Sequence, residues 1–294
     1  MRVHLGRVIT AMVTPFKTDL SVDYGKAQSL ARYLLKNGSD GLVVAGTTGE
    51  SPTLSSEEKL RLFEAIKETV GDQGSVIAGT GNNCTRDSVE LTKNAEEIGV
   101  NACMLVTPYY NKPPQSGLFN HFKTIAESTS LPVILYNVPS RTVRNLNAET
   151  VIALSKIENI VAVKEASGDM EQIARIIQGT PEDFLMYSGE DATTFSLIAL
   201  GGYGVISVAS HFVGKEIKEM IDFYQAGSGD KARQIHLELL SFFKTLFATT
   251  NPILVKAALK LQGFDVGGLR PPLIEASEDE VSNLKLAMEK MSLL

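Results

Sequence analysis

The chain has 294 residues, 44% of them hydrophobic and 21% charged, and this balance is typical of a folded protein with one large domain or two small ones. The net charge is −6, and with no dense basic cluster in the sequence this argues against a nucleic-acid partner. No apolar run reaches the roughly 18 residues of a membrane span and no signal peptide precedes the first strand, so we expect a cytoplasmic protein without membrane contacts.

Eight short runs of β-branched and other apolar residues recur along the chain. They cover residues 7–13, 41–44, 75–79, 102–106, 132–136, 159–164, 184–188 and 204–208. Because these runs are nearly continuous in apolar residues, they predict strands buried on both faces, as in a parallel sheet. Amphipathic stretches lie between them, one of which begins at a capping box formed by Ser55 and Glu58. The alternation predicts an α/β protein with a (β/α)8 TIM barrel, and an open doubly wound sheet is the alternative.

Only helical patterns follow the eighth strand. They cover residues 212–226, 229–248, 252–262 and 278–292, and the first of them completes the barrel. Asn251 is a suitable N-cap before a proline at the first helical position, and Ser277 with Glu280 forms another capping box. The pattern therefore predicts a barrel over residues 1–227 and a C-terminal appendage of three helices over residues 228–294.

A single lysine, Lys164, ends the sixth predicted strand. Burial disfavours an ammonium ion, so a lysine in such a place keeps more of its amine free to attack a carbonyl and form a Schiff base. The alternative is a side chain whose stem packs while its head group reaches water. The active site of a barrel of this kind lies at the C-terminal ends of its strands, which is where Lys164 is predicted to lie.

Other polar side chains follow other strands at the same end. Residues 46–50, Gly-Thr-Thr-Gly-Glu, can hold a small carboxylate through backbone N–H groups and hydroxyls. Tyr136 can transfer protons, and Arg141 can bind a second carboxylate with its planar guanidinium. Each has a structural alternative, namely an ordinary turn, a packing tyrosine and a solvated arginine. Tyr109 and Tyr110 precede a proline-rich segment that suits a subunit interface.

The two cysteines and four histidines show no metal-binding pattern. Cys84 and Cys103 lack the spacing of metal ligands, so we expect both to be buried thiols. The histidines are scattered along the chain, and we expect them to be structural. The sequence thus predicts no metal site.

Three segments resemble the signatures of the dihydrodipicolinate synthase and N-acetylneuraminate lyase family. They are residues 41–50, 136–142 and 163–166, and the resemblance extends over essentially the whole chain. Members of this family are (β/α)8 barrels with a helical C-terminal appendage that form a Schiff base with pyruvate or a related 2-oxo acid. The resemblance implies that no cofactor is needed, because the nucleophilic lysine itself supplies the electron sink.

Within the family, the chain resembles the members of lysine and diaminopimelate biosynthesis that condense pyruvate with L-aspartate 4-semialdehyde. The implied catalytic residues are Lys164 as the nucleophile, Tyr136 as proton donor and acceptor, and Thr47 and a neighbouring subunit's Tyr110 as proton relays. The implied substrate-binding residues are Thr48, Arg141, Gly189 and Ile206. The resemblance also implies a homotetramer built as a pair of dimers.

The resemblance is weaker at the site where some members bind L-lysine as an inhibitor. Ser56, Lys59 and Asp87 stand where those members have histidines and a glutamate, and Lys59 would repel the ammonium group of the effector. We therefore predict weak or absent inhibition by L-lysine. The residues of a remnant effector site would be Ser51, Pro52, Lys59, Gly81, Asn83, Asp87 and Tyr109.

Two further functions remain open at this point. One is a pyruvate-dependent aldolase or lyase that acts on a 2-oxo-3-deoxy sugar acid or on sialic acid, with the same lysine and threonines but another partner site. The other is a barrel that binds a small carboxylate without catalysis.

Overall fold

Eight parallel strands close into a barrel in the computed structural model, which describes residues 4–294. The strands are β1 Val8–Ala11, β2 Gly41–Val44, β3 Ser75–Gly79, β4 Ala102–Val106, β5 Val133–Asn137, β6 Ile160–Glu165, β7 Leu185–Ser188 and β8 Gly204–Ser207. Each strand pairs with the next in sequence, and β8 returns to pair with β1. All eight predicted strands are therefore confirmed, and closure of the barrel excludes an open doubly wound sheet.

Helices surround the barrel and continue beyond it. Those found within residues 4–294 are α1 Tyr24–Lys36, α2 Ser56–Val70, α3 Thr85–Ile98, α4 Gln115–Ala126, α5 Pro139–Thr142, α6 Ala148–Leu154, α7 Met170–Gly179, α8 Thr194–Ala199, α9 Ser210–Gln225, α10 Gly229–Leu246, α11 Ile253–Leu261 and α12 Glu278–Lys290. The capping box predicted for α2 is confirmed, because the Ser55 side chain accepts from the N–H of Glu58 and the Glu58 carboxylate accepts from the N–H of Ser55. The strands are buried almost throughout, because the barrel interior covers one face and these helices cover the other.

The C-terminal helices α10, α11 and α12 follow the barrel as predicted, and the capping box of Ser277 and Glu280 is confirmed. The prediction that Asn251 caps α11 is wrong. Pro252 occupies the N-cap position and the helix begins at Ile253, because the Asn251 side chain is used elsewhere. Its Nδ2 donates to Oγ1 of Thr48 at 2.9 Å, a contact that brings the C-terminal helices to the end of β2.

Burial favours the neutral forms of two histidines and one cysteine. Burial lowers the pKa of His121 and of His211 to about 4, and it raises the pKa of the Cys103 thiol to about 12. The expectation that both cysteines are buried is wrong for Cys84, which is only half-buried because it stands at the N-terminal end of α3. Over residues 4–294, no helix has both the length and the apolar character that crossing a membrane requires.

Candidate active site

A cavity of about 230 Å³ opens at the C-terminal ends of β2, β3, β4 and β5. Its wall includes three of the side chains predicted to act on substrate, which are Thr47, Tyr136 and Arg141. The wall also includes five of the residues predicted for the remnant effector site, namely Ser51, Pro52, Lys59, Gly81 and Tyr109. Residues separated by almost a hundred positions thus share one cavity because parallel strands end at the same edge of the barrel.

Lys164 lies beside this cavity and is 5% exposed, which does not fit the alternative of a head group that reaches water. The register pairs it with Tyr136 on β5 and with Tyr187 on β7. Its Nζ lies 4.2 Å from the centroid of the Tyr136 ring, so the amine contacts the aromatic face of a residue that lines the cavity. Among the residues that the structure describes, no carboxylate forms a salt bridge with Lys164 within 4.0 Å. The result is a buried primary amine without a paired anion.

Gly189 has no side chain, and this leaves room for the aliphatic part of the Lys164 side chain. Its N–H donates to the carbonyl of Glu165 at 2.7 Å, which continues the contact between β6 and β7 beyond the strands. A Cβ at this position would lie 3.2 Å from Cε of Lys164 and 2.7 Å from Cβ of Ala166. The space at Gly189 is therefore limited by Ala166 and, less tightly, by the side chain of Lys164.

Two carboxyl groups near Lys164 were not singled out from the sequence. Burial raises the pKa of Glu190 and of Asp191, and the positive charge of Lys164 opposes that rise in both. Asp191 accepts from the backbone N–H groups of Val208 and Ala209 at 3.1 and 3.0 Å. It therefore fixes the chain just after β8, the strand that carries Ile206.

The segment 46–50, which we call the threonine loop, turns tightly after β2. The N–H of Gly49 donates to the carbonyl of Gly46 at 3.1 Å, and the N–H of Glu50 donates to that of Thr47 at 3.1 Å. Thr47 is half-buried and faces the cavity, whereas Thr48 is buried and contacts Asn251 instead. The threonine loop is thus a tight turn whose two threonines have different surroundings.

Arg141 and the paired tyrosines differ in how far they reach the cavity. Arg141 lines the wall and is exposed, and its Nη2 donates to the backbone carbonyl of Asn251 at 3.3 Å. Tyr109 is half-buried and also lines the wall. Tyr110 is 89% exposed and is not part of the wall. Tyr110 therefore does not face the cavity of its own chain, and its predicted contribution is to the site of a neighbouring subunit.

The predicted effector residues are only partly brought together. Burial lowers the pKa of Lys59, which has no salt-bridge partner among the described residues. Asp87 is exposed and pairs with Arg86, with 3.3 Å between the guanidinium Nε and the carboxylate. Asn83 is also outside the cavity wall, and its Nδ2 donates to the carbonyl of Tyr109 at 3.2 Å. Lys59 and Arg141 are thus the charged side chains of the cavity wall that an effector would meet.

Comparison with known proteins identifies relatives over nearly the full length of the chain. The family model described as the dihydrodipicolinate synthetase family matches residues 4–291. A 4-hydroxy-tetrahydrodipicolinate synthase of Dehalococcoides mccartyi is 57% identical over 285 residues, which cover 97% of this chain and 96% of that protein. A lysine-bound dihydrodipicolinate synthase structure from Cyanidioschyzon merolae has a TM-score of 0.97 at 49% identity and covers 99% of both chains.

A second solved structure is more distant in sequence but similar in fold. It is the chloride-inhibited dihydrodipicolinate synthase from Acinetobacter baumannii complexed with pyruvate, at 38% identity and a TM-score of 0.96, covering 99% of this chain and 100% of that chain. The family model matches nearly the whole chain, and the sequence identities to these relatives are well above those of proteins that share only a fold. The chain therefore belongs to the dihydrodipicolinate synthetase family.

Proposed function

We propose that this cavity condenses pyruvate with L-aspartate 4-semialdehyde, the reaction of a 4-hydroxy-tetrahydrodipicolinate synthase. The protein is a Schiff-base-forming lyase of lysine and diaminopimelate biosynthesis. The observation that carries the proposal is the buried, unpaired amine of Lys164 against the ring of Tyr136. A relative with that name at 57% identity and a structural neighbour complexed with pyruvate support it.

The first half of the reaction takes place on Lys164. Its Nζ attacks the keto carbon of pyruvate, and loss of water leaves a cationic imine. The imine draws electrons from the adjacent methyl group, so a methyl proton leaves and an enamine forms. The positively charged nitrogen of the imine accepts the electron pair of the broken C–H bond, and this stabilises the carbanion equivalent as the enamine.

The second half joins the two substrates and frees the enzyme. The enamine carbon attacks the aldehyde carbon of L-aspartate 4-semialdehyde and restores the imine. The amino group of the second substrate then attacks the imine carbon, which closes the ring and expels the amine of Lys164. Each step needs a proton donor or acceptor, and Tyr136 and Thr47 face the cavity where that proton would move.

The two substrate carboxylates need separate partners. We assign the pyruvate carboxylate to Thr48 and the space at Gly189, with the backbone carbonyl of Ile206 lining the same place. We assign the carboxylate of the aldehyde substrate to Arg141, whose exposed guanidinium forms part of the cavity wall. A lyase of 2-oxo-3-deoxy sugar acids would share Lys164 but would not depend on Arg141 in the same way.

The Arg141→Ala variant tests the assignment of the second substrate. Condensation should fall at least about 30-fold in kcat/KM for L-aspartate 4-semialdehyde, since a lost charge pair costs about 2 kcal/mol or more. The pyruvate adduct on Lys164 should still form. Arg175→Ala, which removes an exposed arginine that pairs with Glu149 on the barrel surface, is the matched control and should leave both steps unchanged. An Arg141→Ala enzyme with unchanged condensation would contradict the assignment.

We further propose that the protein is a homotetramer in which Tyr110 completes the site of a neighbouring subunit. The 89% exposure of Tyr110 in one chain supports this, because an exposed tyrosine beside a proline-rich loop suits an interface. Mixed oligomers of Tyr110→Phe and Lys164→Ala subunits provide the test. A Tyr110→Phe subunit with intact Lys164 should regain activity when its neighbour supplies Tyr110. Two weakly active parents that give no gain on mixing would refute the shared site.

A further inference from the structure

The C-terminal appendage, which is α10 to α12 with its connecting segments, contacts the threonine loop at two places. The first contact involves Asn251, which lies between α10 and α11. Its Nδ2 donates to Oγ1 of Thr48 at 2.9 Å, and both side chains are buried. The backbone carbonyl of the same residue accepts from Nη2 of Arg141 at 3.3 Å. One residue of the appendage thus contacts two side chains that we assign to substrate carboxylates.

The second contact is a buried ion pair at the end of the loop. Nζ of Lys256 lies 2.6 Å from Oε1 of Glu50, and the two side chains are 3% and 0% exposed. Lys256 also donates to the carbonyl of Gly268 at 2.8 Å. The other carboxylate oxygen of Glu50 accepts from the backbone N–H of Arg270 at 3.0 Å. Two separate parts of the appendage therefore hold the last residue of the loop.

A buried ion pair is a poor source of net stability, because desolvation of the two charges offsets their attraction. Such a pair instead holds its two side chains in a fixed relative position. Glu50 adopts a left-handed backbone conformation with φ of +56°, which is uncommon for a residue other than glycine. The paired carboxylate holds this conformation, and with it the turn that carries Thr47 and Thr48.

The contact with Asn251 also sets the direction of the Thr48 hydroxyl. The amide N–H of Asn251 donates, so the Thr48 oxygen is the acceptor and its hydrogen remains available for another acceptor. A carboxylate is a strong acceptor for that hydrogen. The contact with Asn251 therefore leaves the hydroxyl hydrogen of Thr48 free to be donated to a carboxylate bound at the threonine loop.

We propose that Asn251 and Lys256 are positioning residues for pyruvate binding, with Asn251 directing the Thr48 hydroxyl and Lys256 holding the threonine loop through Glu50. Neither side chain contacts the reacting atoms in this proposal. It rests on the proposed function, because it assumes that the loop binds the pyruvate carboxylate. The appendage is then part of the active site rather than only a packing surface.

The Asn251→Asp variant tests the first contact. It retains the shape of the side chain but replaces the donating amide with a carboxylate, to which the Thr48 hydroxyl would donate instead of to pyruvate. Because this removes a hydrogen bond to a charged group, we expect the pyruvate concentration for half-maximal adduct formation to rise roughly 10-fold or more. The KM for the aldehyde substrate should change less than about 2-fold, since the carbonyl that accepts from Arg141 is retained.

The matched control for this change is Gln262→Glu. Gln262 is another amide of the appendage, and its Nε2 donates to the carbonyl of Leu293, away from the loop. Pyruvate binding should be unaffected by that substitution. In a Thr48→Val background, Asn251→Asp should add no further loss, because its effect acts through the hydroxyl that is already gone. An equal loss in both backgrounds would overturn the role of Asn251.

The Glu50→Gln/Lys256→Met double variant tests the second contact without leaving an unpaired buried charge. We expect it to fold, with the pyruvate dependence of adduct formation shifted roughly 10-fold upward. Lys260→Met, an exposed lysine on the same helix, is the control and should behave as the parent enzyme. Parent-like pyruvate binding in both Asn251→Asp and the double variant would overturn the proposal.

The measurement distinguishes failure of the positioning role from failure of the proposed function. Adduct formation is followed with pyruvate alone, by mass spectrometry after borohydride reduction. If the parent enzyme forms no adduct, the proposed function fails. If the parent enzyme forms it and the variants equal the parent, only the positioning role fails.

Discussion

Replacement of Gly189 by alanine should displace the Lys164 side chain without changing its chemical structure. The new Cβ would lie 2.7 Å from Cβ of Ala166 and 3.2 Å from Cε of Lys164. Both distances are shorter than the ~3.5 Å at which carbon atoms begin to repel, so one or both neighbours must move. Overpacking of this kind costs about 1–3 kcal/mol of unfolding free energy. Relief of the 3.2 Å contact needs a shift of Cε by only about 0.3 Å, whereas a misplacement by about 1 Å would slow the reaction roughly 100-fold.

The assay is the rate of pyruvate adduct formation, measured by borohydride quenching at saturating pyruvate. We expect Gly189→Ala to form the adduct roughly 3- to 10-fold more slowly, since the shift imposed on the lysine is a fraction of 1 Å and part of the strain is relieved by movement of Ala166. Gly25→Ala is the control, because its Cβ would meet no atom closer than 3.7 Å. A Gly189→Ala enzyme that reacts at the parent rate would refute the reasoning that this glycine makes room for the nucleophile.

The remaining predictions concern regulation, acid stability and thiol reactivity. L-Lysine up to millimolar concentration should inhibit only weakly because of Lys59, and Lys59→Ala should increase inhibition, so strong inhibition of the parent would contradict this reading. His211, whose neutral ring accepts from the N–H of Val13, has its pKa lowered to about 4, so stability is full above the unfolded value of 6.5 and falls with acid. In urea titrations, His211 should lower the free energy of unfolding by about 2 kcal/mol at pH 5 relative to pH 7.5. The free energy of unfolding of His211→Gln should depend less on pH. The Cys103 thiol should resist a thiol reagent at pH 8 until the protein unfolds, and its rapid modification in the native state would count against its burial.

The barrel was predictable because its signal is local. Nearly continuous apolar runs of four to seven residues favour strands with both faces covered, and eight of them alternating with helices leave few topologies. The end of each strand can also be predicted from the sequence to within a residue or two. The strand pattern alone therefore assigns Lys164 and Tyr136 to the same edge of the barrel. Their adjacency through the register of β5 and β6 confirms that inference.

The contacts of the appendage could not be predicted in this way. Asn251 and Thr48 are 203 residues apart, and nothing in the periodicity of α11 indicates which residue of the barrel its start will meet. The local rule assigned Asn251 to helix capping, and a tertiary hydrogen bond prevailed over it. Lys256 has the sequence surroundings of an ordinary helical lysine, although its side chain is paired with Glu50 in the interior.

Peptide mass spectrometry after treatment with pyruvate and borohydride shows whether Lys164 is the nucleophile. We expect a reduced pyruvate adduct on Lys164, absent without pyruvate and absent from Lys164→Ala. The other buried lysine, Lys256, should remain unmodified, because it is paired with Glu50 rather than free. An unmodified Lys164 in an active preparation, or an adduct on another lysine, would contradict the account.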